Sequence, residues 1–557
     1  MTEVVDLIGH FGPWQACFVA FVTYRGILTG FNNLAFVFLA TDNEHWCSRP
    51  TLPDGLLANI SDSEWKERFI PYNNNDSESY SQCSMYGLLQ NSTTGEIVPD
   101  YTSLKSCEAW TYDEHVFGHT ATDEWNLVCE NTWKKSLMQS TYMACMMLAV
   151  LLIGNVSDRF GRRIVAVFSI ICLCVSASAL TFSSSLNFFL VARIGVAFAI
   201  SGLQVACFSL LAETIGPKFR IALNVCYGYG WIIGLLLLPG IVWLAQDWRK
   251  LLIVQAAFSV SLLFALPWLY ESPRWLVSVG KQAEAVEAIR KIARFNKKQL
   301  GDVEKEVEGL MKRKLNAMQG HQSNVSVIGL FKTKYLRRNT LVLVTVSFLS
   351  SIVYYGFSRT ATTLGGNPYL NFGIAAALEC TGYTVSLVTT KYLKRIPTMF
   401  SSYGFFSLTL LITAFTPREY LVLRTTIRMA GWFTYTLGYT TQFVFENEMF
   451  PTVARSGGFG LCSTIGRLGA TLEPWINVFL MSWGEKVVLI LYSAMLFVIS
   501  CAMILFPETL GSPLPDTLEE GELYSALKLS KKMKNASKNK DLYDIVQADD
   551  REVENKI

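Results

Sequence analysis

The sequence predicts an all-α polytopic membrane protein, with twelve spanning helices in two six-helix bundles and a large polar segment after the first helix. Three observations carry this: the spacing of the apolar residues, a repeat between the two halves, and the contrasting charge of two long polar segments. Of 557 residues, 51% are hydrophobic and only 17% charged, with mean hydropathy +0.29. Soluble chains carry about 25% charged residues. Disorder and collagen are excluded, and a net charge of +3 argues against nucleic acid or another polyanion as partner.

The apolar residues fall into twelve blocks, at 16-40, 137-155, 164-182, 187-212, 222-244, 250-270, 338-356, 369-390, 398-416, 420-446, 457-481 and 486-506. A helix needs about 20 such residues to cross ~30 Å of hydrocarbon. A β-barrel would show short alternating strands instead. No cleavable leader is expected, because the first block runs too long.

The halves repeat. Arg193 opens the fourth block and Glu213 closes it 20 residues later, and Arg428 lies in the tenth with Glu448 following at the same spacing. Glu213-Thr-Ile-Gly-Pro-Lys-Phe-Arg220 parallels Glu448-Met-Phe-Pro-Thr-Val-Ala-Arg455. The natural reading is a 6+6 parallel repeat about the membrane normal. Its divisions are a short N-terminus (1-15), a first bundle (16-270) containing the polar segment 41-135, a linker (271-337), a second bundle (338-506) and a tail (507-557). The linker's 281-317 stretch has helical spacing and mixed charge, so short amphipathic helices are expected there. The end of the tail, rich in charge and poor in apolar residues, is expected to be disordered.

Charge orients the chain. Residues 41-135 hold 16 Asp/Glu against 6 Lys/Arg, and 271-338 hold 15 Lys/Arg against 7 Asp/Glu. Arg159, Arg162 and Arg163 in one short loop, and Lys218 and Arg220 in another, vote with the basic linker. That side is cytoplasmic by the positive-inside rule, placing both termini inside and 41-135 outside. Four of the 13 cysteines, Cys47, Cys83, Cys107 and Cys129, lie in the outside segment. They read as two disulfides with three possible pairings. Asn59, Asn75 and Asn91 head glycosylation sequons there. The segment is either a folding cap or a substrate funnel, and a surface for association between copies. His115 and His119 are four apart, a spacing that on a helix could hold a metal. With no third ligand evident in sequence and no HExxH glutamate, no metal is expected.

Gly154-Asn-Val-Ser-Asp158-Arg159-Phe-Gly161-Arg162-Arg163 resembles the loop between the second and third helices of the major facilitator superfamily. Its second-half copy is degraded to Lys391-Tyr-Leu-Lys394-Arg395-Ile-Pro397. Phe11-Gly-Pro-Trp-Gln15, His45-Trp-Cys47, Asp123-Glu-Trp-Asn-Leu-Val-Cys129, Glu271-Ser-Pro-Arg274-Trp275-Leu, Glu448-x-x-Pro451-Thr-x-x-Arg455 and Pro507-Glu-Thr-Leu-Gly511 together resemble the solute carrier 22 family, the organic cation, anion and carnitine transporters. The resemblance covers about residues 8-515. It implies the major facilitator fold, a plasma-membrane location and alternating access about a central site. It also implies gating roles for Gly154, Asp158, Arg159, Gly161, Arg162, Arg163, Glu213, Arg220, Glu448 and Arg455. Salt bridges from Glu213 and Glu448 to Arg163, Arg220 or Arg455 are expected, with sodium coupling a second reading for Glu448. No phosphate-binding glycine loop is present, so no cofactor is expected. Movement is facilitated, exchanged, or coupled to sodium or protons.

Ionisable residues at membrane depth are costly and usually functional. Ten residues at 1.5 Å rise put Arg467 roughly 15 Å into the eleventh span, and Arg25 lies similarly deep in the first. The run Ser463-Thr-Ile-Gly-Arg467 resembles the carnitine-type version of this position. A guanidinium there suits a carboxylate, and an internal salt bridge is the alternative at both arginines. Glu379 of the eighth span could bind an ammonium, take part in coupling, or pair with an arginine. Glu473, about 240° around the helix from Arg467, departs from the carnitine-type pattern. Tyr24, Phe31, Tyr142, Tyr229, Trp231, Tyr354, Tyr355, Tyr435 and Tyr439 are candidates for cation–π contact. Arg193 and Arg428 are expected to pack or snorkel near the outer ends.

The reading is a carrier of small carboxylate-bearing zwitterions or organic anions. Its substrate-binding candidates are Arg467, Arg25, Glu379, Tyr354, Tyr355, Tyr24 and Glu473. A polyspecific organic cation carrier is the runner-up. A non-transporting receptor rests only on the degraded second loop, and no nucleophile–base constellation supports an enzyme.

Overall fold

Each span begins where a backbone rule allows it. Pro13 occupies the first turn of span 1 (Pro13–Leu34), where its missing N–H costs nothing. Gln15 closes the entry by accepting from the Gly12 N–H at 3.1 Å. Asp247 caps span 6 and Asn367 caps span 8, each accepting from two backbone N–H groups. Gly161, at φ +108°, turns the chain from span 2 into span 3, and a Cβ there would lie 2.5 Å from the Glu271 carboxylate.

The computed structural model describes residues 4–50, 61–73, 76–90, 97–216, 219–299, 301–320, 327–363, 365–511 and 514–526. The remaining spans are 2 (Trp133–Phe160), 3 (Arg162–Thr181), 4 (Leu186–Thr214), 5 (Arg220–Ala245), 6 (Trp248–Ser261, prolonged by a 3-10 turn to Trp268), 7 (Lys334–Thr360), 8 (Pro368–Tyr392), 9 (Arg395–Phe415), 10 (Leu421–Met449), 11 (Arg455–Met481) and 12 (Glu485–Met503). Among the described residues, nine helices are long and apolar enough to cross a membrane. Spans 1, 10 and 11 fall short of that apolar standard. They carry Arg25, Asn32 and Asn33; Arg424, Arg428 and Glu446; and Arg467 and Glu473.

Spans 1–6 and 7–12 form two bundles, each with its own apolar core. Span 1 lies against span 5, and span 7 against span 11, which are equivalent pairs under the repeat. The bundles meet where span 2 packs on span 11 and span 5 on span 8. Ser136 and Ser140 of span 2 donate to the carbonyls of Pro474 and Thr471 at 2.9 and 2.6 Å. These bonds lie in the outer half of the fold, the half nearer the polar segment.

The polar segment folds as short antiparallel pairs: Glu44–Cys47 with Trp110–Asp113, Tyr72–Asn73 with Asp76–Tyr80, and Ser84–Gln90 with Ile97–Ser106. Helix Asp62–Phe69 supplies Trp65 and Phe69 to a small core. Of the three pairings the sequence left open, the structure has Cys47–Cys107 and Cys83–Cys129. Asn59, Asn75 and Asn91 lie outside the described residues. The domain docks on the first bundle through His119, whose N–H reaches the Gln246 carbonyl (3.4 Å) and whose carbonyl accepts from Trp248 N (3.0 Å). Gly118, at φ +64°, permits this, since a Cβ there would stand 2.1 Å from the Gln246 oxygen.

In the linker, helices Pro273–Val279, Gln282–Phe295 and Val303–Gly320 lie under the first bundle. Asn296 fastens them by accepting from Trp14 N (2.9 Å) and donating to Ile8 O (2.9 Å) and Gln15 Oε1 (2.8 Å). Residues 527–557, the tail expected to be disordered, lie outside the described residues.

Candidate functional site

At mid-depth, tyrosines and three charges line the boundary between the bundles. Span 8 positions Glu379, which is 8% exposed. It accepts from Tyr354 Oη of span 7 at 3.1 Å and from Trp231 Nε1 of span 5 at 3.3 Å. Among the described residues, no cation lies within ion-pair distance of it, so the expected pairing with an arginine is absent. Tyr354 itself stacks near Tyr355, Trp432 and Tyr439, with centroids 5.2, 5.4 and 5.9 Å away. Trp432, Tyr435 and Tyr439 recur along one face of span 10, the spacing of a continuous helical stripe.

Arg467 of span 11 donates to Ser463 Oγ one turn back at 2.8 Å. No carboxylate among the described residues comes within salt-bridge distance. Its electrostatic neighbours are Tyr355, Tyr227 and Tyr439. Arg25 of span 1 is 2% exposed. It donates to Thr29 Oγ1 at 3.3 Å and lies 4.8 Å from the centre of the Tyr227 ring. Its Nε and Nη2 are buried without a hydrogen-bond partner among the described residues. Tyr227 therefore neighbours both arginines. The internal salt bridge that was the alternative for each is not what holds either.

Two sequence candidates face elsewhere. Tyr24 hydrogen-bonds the Phe258 carbonyl (3.1 Å) and Ser261 Oγ (2.5 Å), which is packing against span 6 within its own bundle. Glu473 is 1% exposed and paired with Arg359 at 3.1 Å, so it serves the second bundle. Arg428 pairs with Glu485, as does Arg424. Arg193 is sealed between the Phe36 and Tyr142 rings (4.9 and 4.7 Å) and donates to Gln139 (3.0 Å), so it packs rather than snorkels. Sequence reasoning missed Tyr227, Asn33 and Glu446. Asn33 accepts from Tyr142 Oη at 2.6 Å. Glu446 is 4% exposed, accepts from Ser347 Oγ and Gln442 Nε2 at 2.8 Å each, and has no cation partner among the described residues. Its position two residues before the Glu448 motif hid it at the end of an apolar block.

At the inner face each bundle carries a charge cluster. Arg162 binds Glu213 at 3.0 Å and Asp158 at 2.7 Å. The backbone N–H groups of Arg162 and Arg163 donate to Glu271, each at 3.0 Å to one oxygen. Arg395 binds Glu448 at 2.9 Å, while the N–H groups of Arg395 and Ile396 donate to Glu508 at 2.8 and 3.1 Å. The degraded second loop thus rebuilds the same cluster with one arginine, lacking only the Asp158 equivalent. These partners differ from those expected from the sequence. Arg163 contributes its backbone, and Arg455 turns to the Phe450 carbonyl and Thr452 at 3.4 and 3.2 Å. The Arg220 side chain lies outside the described residues. Arg159 is exposed, and Gly154 sits inside span 2 with open space beside it.

Comparison with known proteins agrees with this architecture. The chain matches the family model described as sugar (and other) transporter over residues 72–519. It is 29% identical over 540 residues to solute carrier family 22 member 6 of Pseudopleuronectes americanus, covering 94% of each chain. It is 30% identical over 532 residues to organic cation/carnitine transporter 2 of Homo sapiens, covering 93% of each. This chain belongs to the solute carrier 22 family. Its fold is shared with the xylose transporter XylE from E. coli in the inward open conformation, at 15% identity and TM-score 0.59 over 92% of this chain and all of that one. As a solute carrier 22 protein it is a multi-pass membrane transporter of the secondary kind, and not an enzyme. The mid-depth cluster occupies the boundary between this transporter's bundles.

Proposed function

We propose that this solute carrier 22 protein carries small zwitterions of the carnitine or amino-acid-derivative class across the plasma membrane by alternating access. The supporting observation is the pair Arg467 and Glu379. Opposite charges sit at one boundary, neither neutralised by the other, and among the described residues both are supported only by hydroxyl and indole groups. An isolated buried charge is expensive, so each is suited to meet a complementary group on the cargo. The Arg467 fork receives the carboxylate, with Arg25 adding positive potential behind Tyr227. Glu379 and the Tyr354–Tyr439 rings receive the ammonium. A relative named for carnitine and organic cations supports the same class. In the proposed orientation the polar domain faces outside and both termini face the cytoplasm. The driving force is exchange, the substrate gradient, or a coupled sodium ion or proton.

A polyspecific cation carrier is the second reading, favoured by the aromatic surround of Glu379. Uptake of labelled carnitine or β-alanine against tetraethylammonium, with and without external sodium, separates the two. Arg467→Asp is expected to abolish carboxylate uptake while surface expression persists. Entry of cations with neither uptake of nor competition by carboxylates overturns the proposal. The receptor alternative loses its only support, because Arg395 restores the second inner cluster. Saturable uptake excludes it.

A further inference from the structure

We propose that Glu114, His119 and Asp123 form a zinc site at the base of the polar domain. One ligand atom from each residue lies within 4.8 Å of the others. His119 Nδ1 stands 3.2 Å from Glu114 Oε1. That contact is a hydrogen bond; neighbouring ligands on a tetrahedral zinc with bonds of about 2.0–2.2 Å are roughly 3.3 Å apart, so an ion can replace its proton with little movement of this pair, while the Asp123 carboxylate must draw closer. One imidazole and two carboxylates are a donor set that zinc accepts, leaving a fourth position for water. Glu114 and His119 are partly exposed, which gives an ion a way in.

A second observation comes from Asp123. Its carboxylate is 8% exposed. Oδ2 is occupied, accepting from Thr120 N at 2.9 Å and Asn43 Nδ2 at 2.8 Å. Oδ1 is buried with no hydrogen-bond partner among the described residues. An acceptor left so is costly unless something meets it. The far side of the imidazole is also furnished: His119 Nε2 faces Glu124 Oε2 at 3.7 Å, and Glu124 is held by Arg249 and by Trp248 Nε1. A carboxylate on the second ring nitrogen is the arrangement that orients metal-bound histidines. His115, by contrast, points away with a side chain 94% exposed.

The site's position gives the ion a purpose. The His119 backbone is bonded to the turn between spans 5 and 6, and Asp123 is bonded to Asn43, just beyond span 1. Zinc here fastens the polar domain to both ends of the first bundle's outer rim.

The test is calorimetric titration of Zn2+ into tag-free, full-length protein in nanodiscs. One ion per chain is expected. Affinity should fall at least tenfold in Glu114→Gln and in His119→Ala, and be unchanged in His115→Ala. Both variants keep the backbone contacts of the loop, and unchanged elution on size exclusion verifies folding. In parallel, Zn2+ should raise the melting temperature of wild type but not of the two variants. Absence of Zn2+ binding to wild type, wild-type affinity in either variant, or loss in His115→Ala overturns the proposal.

Discussion

Trp231 of span 5 donates its indole N–H to Glu379 of span 8 across the boundary between the bundles, at 3.3 Å. A carboxylate of the second bundle thus depends on a donor from the first. Any movement that parts the bundles at this depth removes that donor and leaves Tyr354 as its remaining partner.

Trp231→Phe should therefore weaken amine binding without unfolding the protein. A hydrogen bond to a charged group is worth about 1.5–3 kcal/mol, so uptake of amine-bearing substrates at low concentration should drop about tenfold or more. Glu379→Gln should abolish it. Uptake of a cation unchanged in both variants would remove Glu379 from the site.

Arg25 predicts a split between stability and function. Its guanidinium is buried with two nitrogens that have no hydrogen-bond partner among the described residues, and an unpaired buried charge costs stability that an apolar side chain of similar length does not. Arg25→Met should keep or raise the melting temperature while lowering carboxylate uptake. A fall in melting temperature with intact uptake would make Arg25 a packing residue.

The two inner clusters should respond alike to damage. Breaking a buried pair costs about 3–5 kcal/mol, so Arg162→Ala and Arg395→Ala should each lower the melting temperature markedly. Arg163→Ala and Arg455→Ala, whose guanidinium groups hold neither Glu213 nor Glu448, should change it little. Equal losses in all four would contradict the assignment.

Glu271 gives a pH signature. Burial raises its carboxyl above the ordinary 4.5, against the opposing pull of the Ser272, Arg163 and Arg162 N–H groups. The folded protein then holds this proton more tightly than the unfolded chain. The stability it lends is fully present below 4.5 and is lost as pH rises through the elevated folded value. Thermal unfolding of wild type against Glu271→Gln should show the difference moving in favour of the variant as pH climbs from 4.5 to neutrality. A constant difference would refute this.

The disulfides close long loops, joining cysteines 60 and 46 positions apart in the chain. Removing a native disulfide from a small secreted domain typically costs about 2–5 kcal/mol. Cys47→Ser with Cys107→Ser, or Cys83→Ser with Cys129→Ser, should each reduce surface expression. Normal maturation of either pair variant would show that the small Trp65 core suffices alone.

The spans were legible because hydrocarbon thickness imposes one length on every crossing, and the repeat because its charges recur at fixed spacing. Arg467 and Glu379 were legible as charges at depth, where burial is costly enough to need a reason. Their partners were not. Periodicity could not show that Tyr24 turns to Ser261 or that Glu473 meets Arg359, since both depend on how neighbouring helices rotate. Tyr227 was hidden for a different cause: a neutral residue among many aromatics has no signature until the two arginines beside it are placed. The loop at Lys394-Arg395 looked broken because one side chain does there what a longer motif does in the first half.

Glycines bring span 1 so close to span 5 that a Cβ at Gly30 would stand 2.6 Å from the Trp231 carbonyl, and one at Gly469 would stand 2.4 Å from the Phe348 carbonyl between spans 11 and 7. Backbones in such contact have no side-chain cushion over which to slide. Each pair must travel as one piece, so Arg25 and Trp231 are passengers on a single rigid arm. Whatever tilts that arm shifts the field near Tyr227 and the donor at Glu379 in the same stroke.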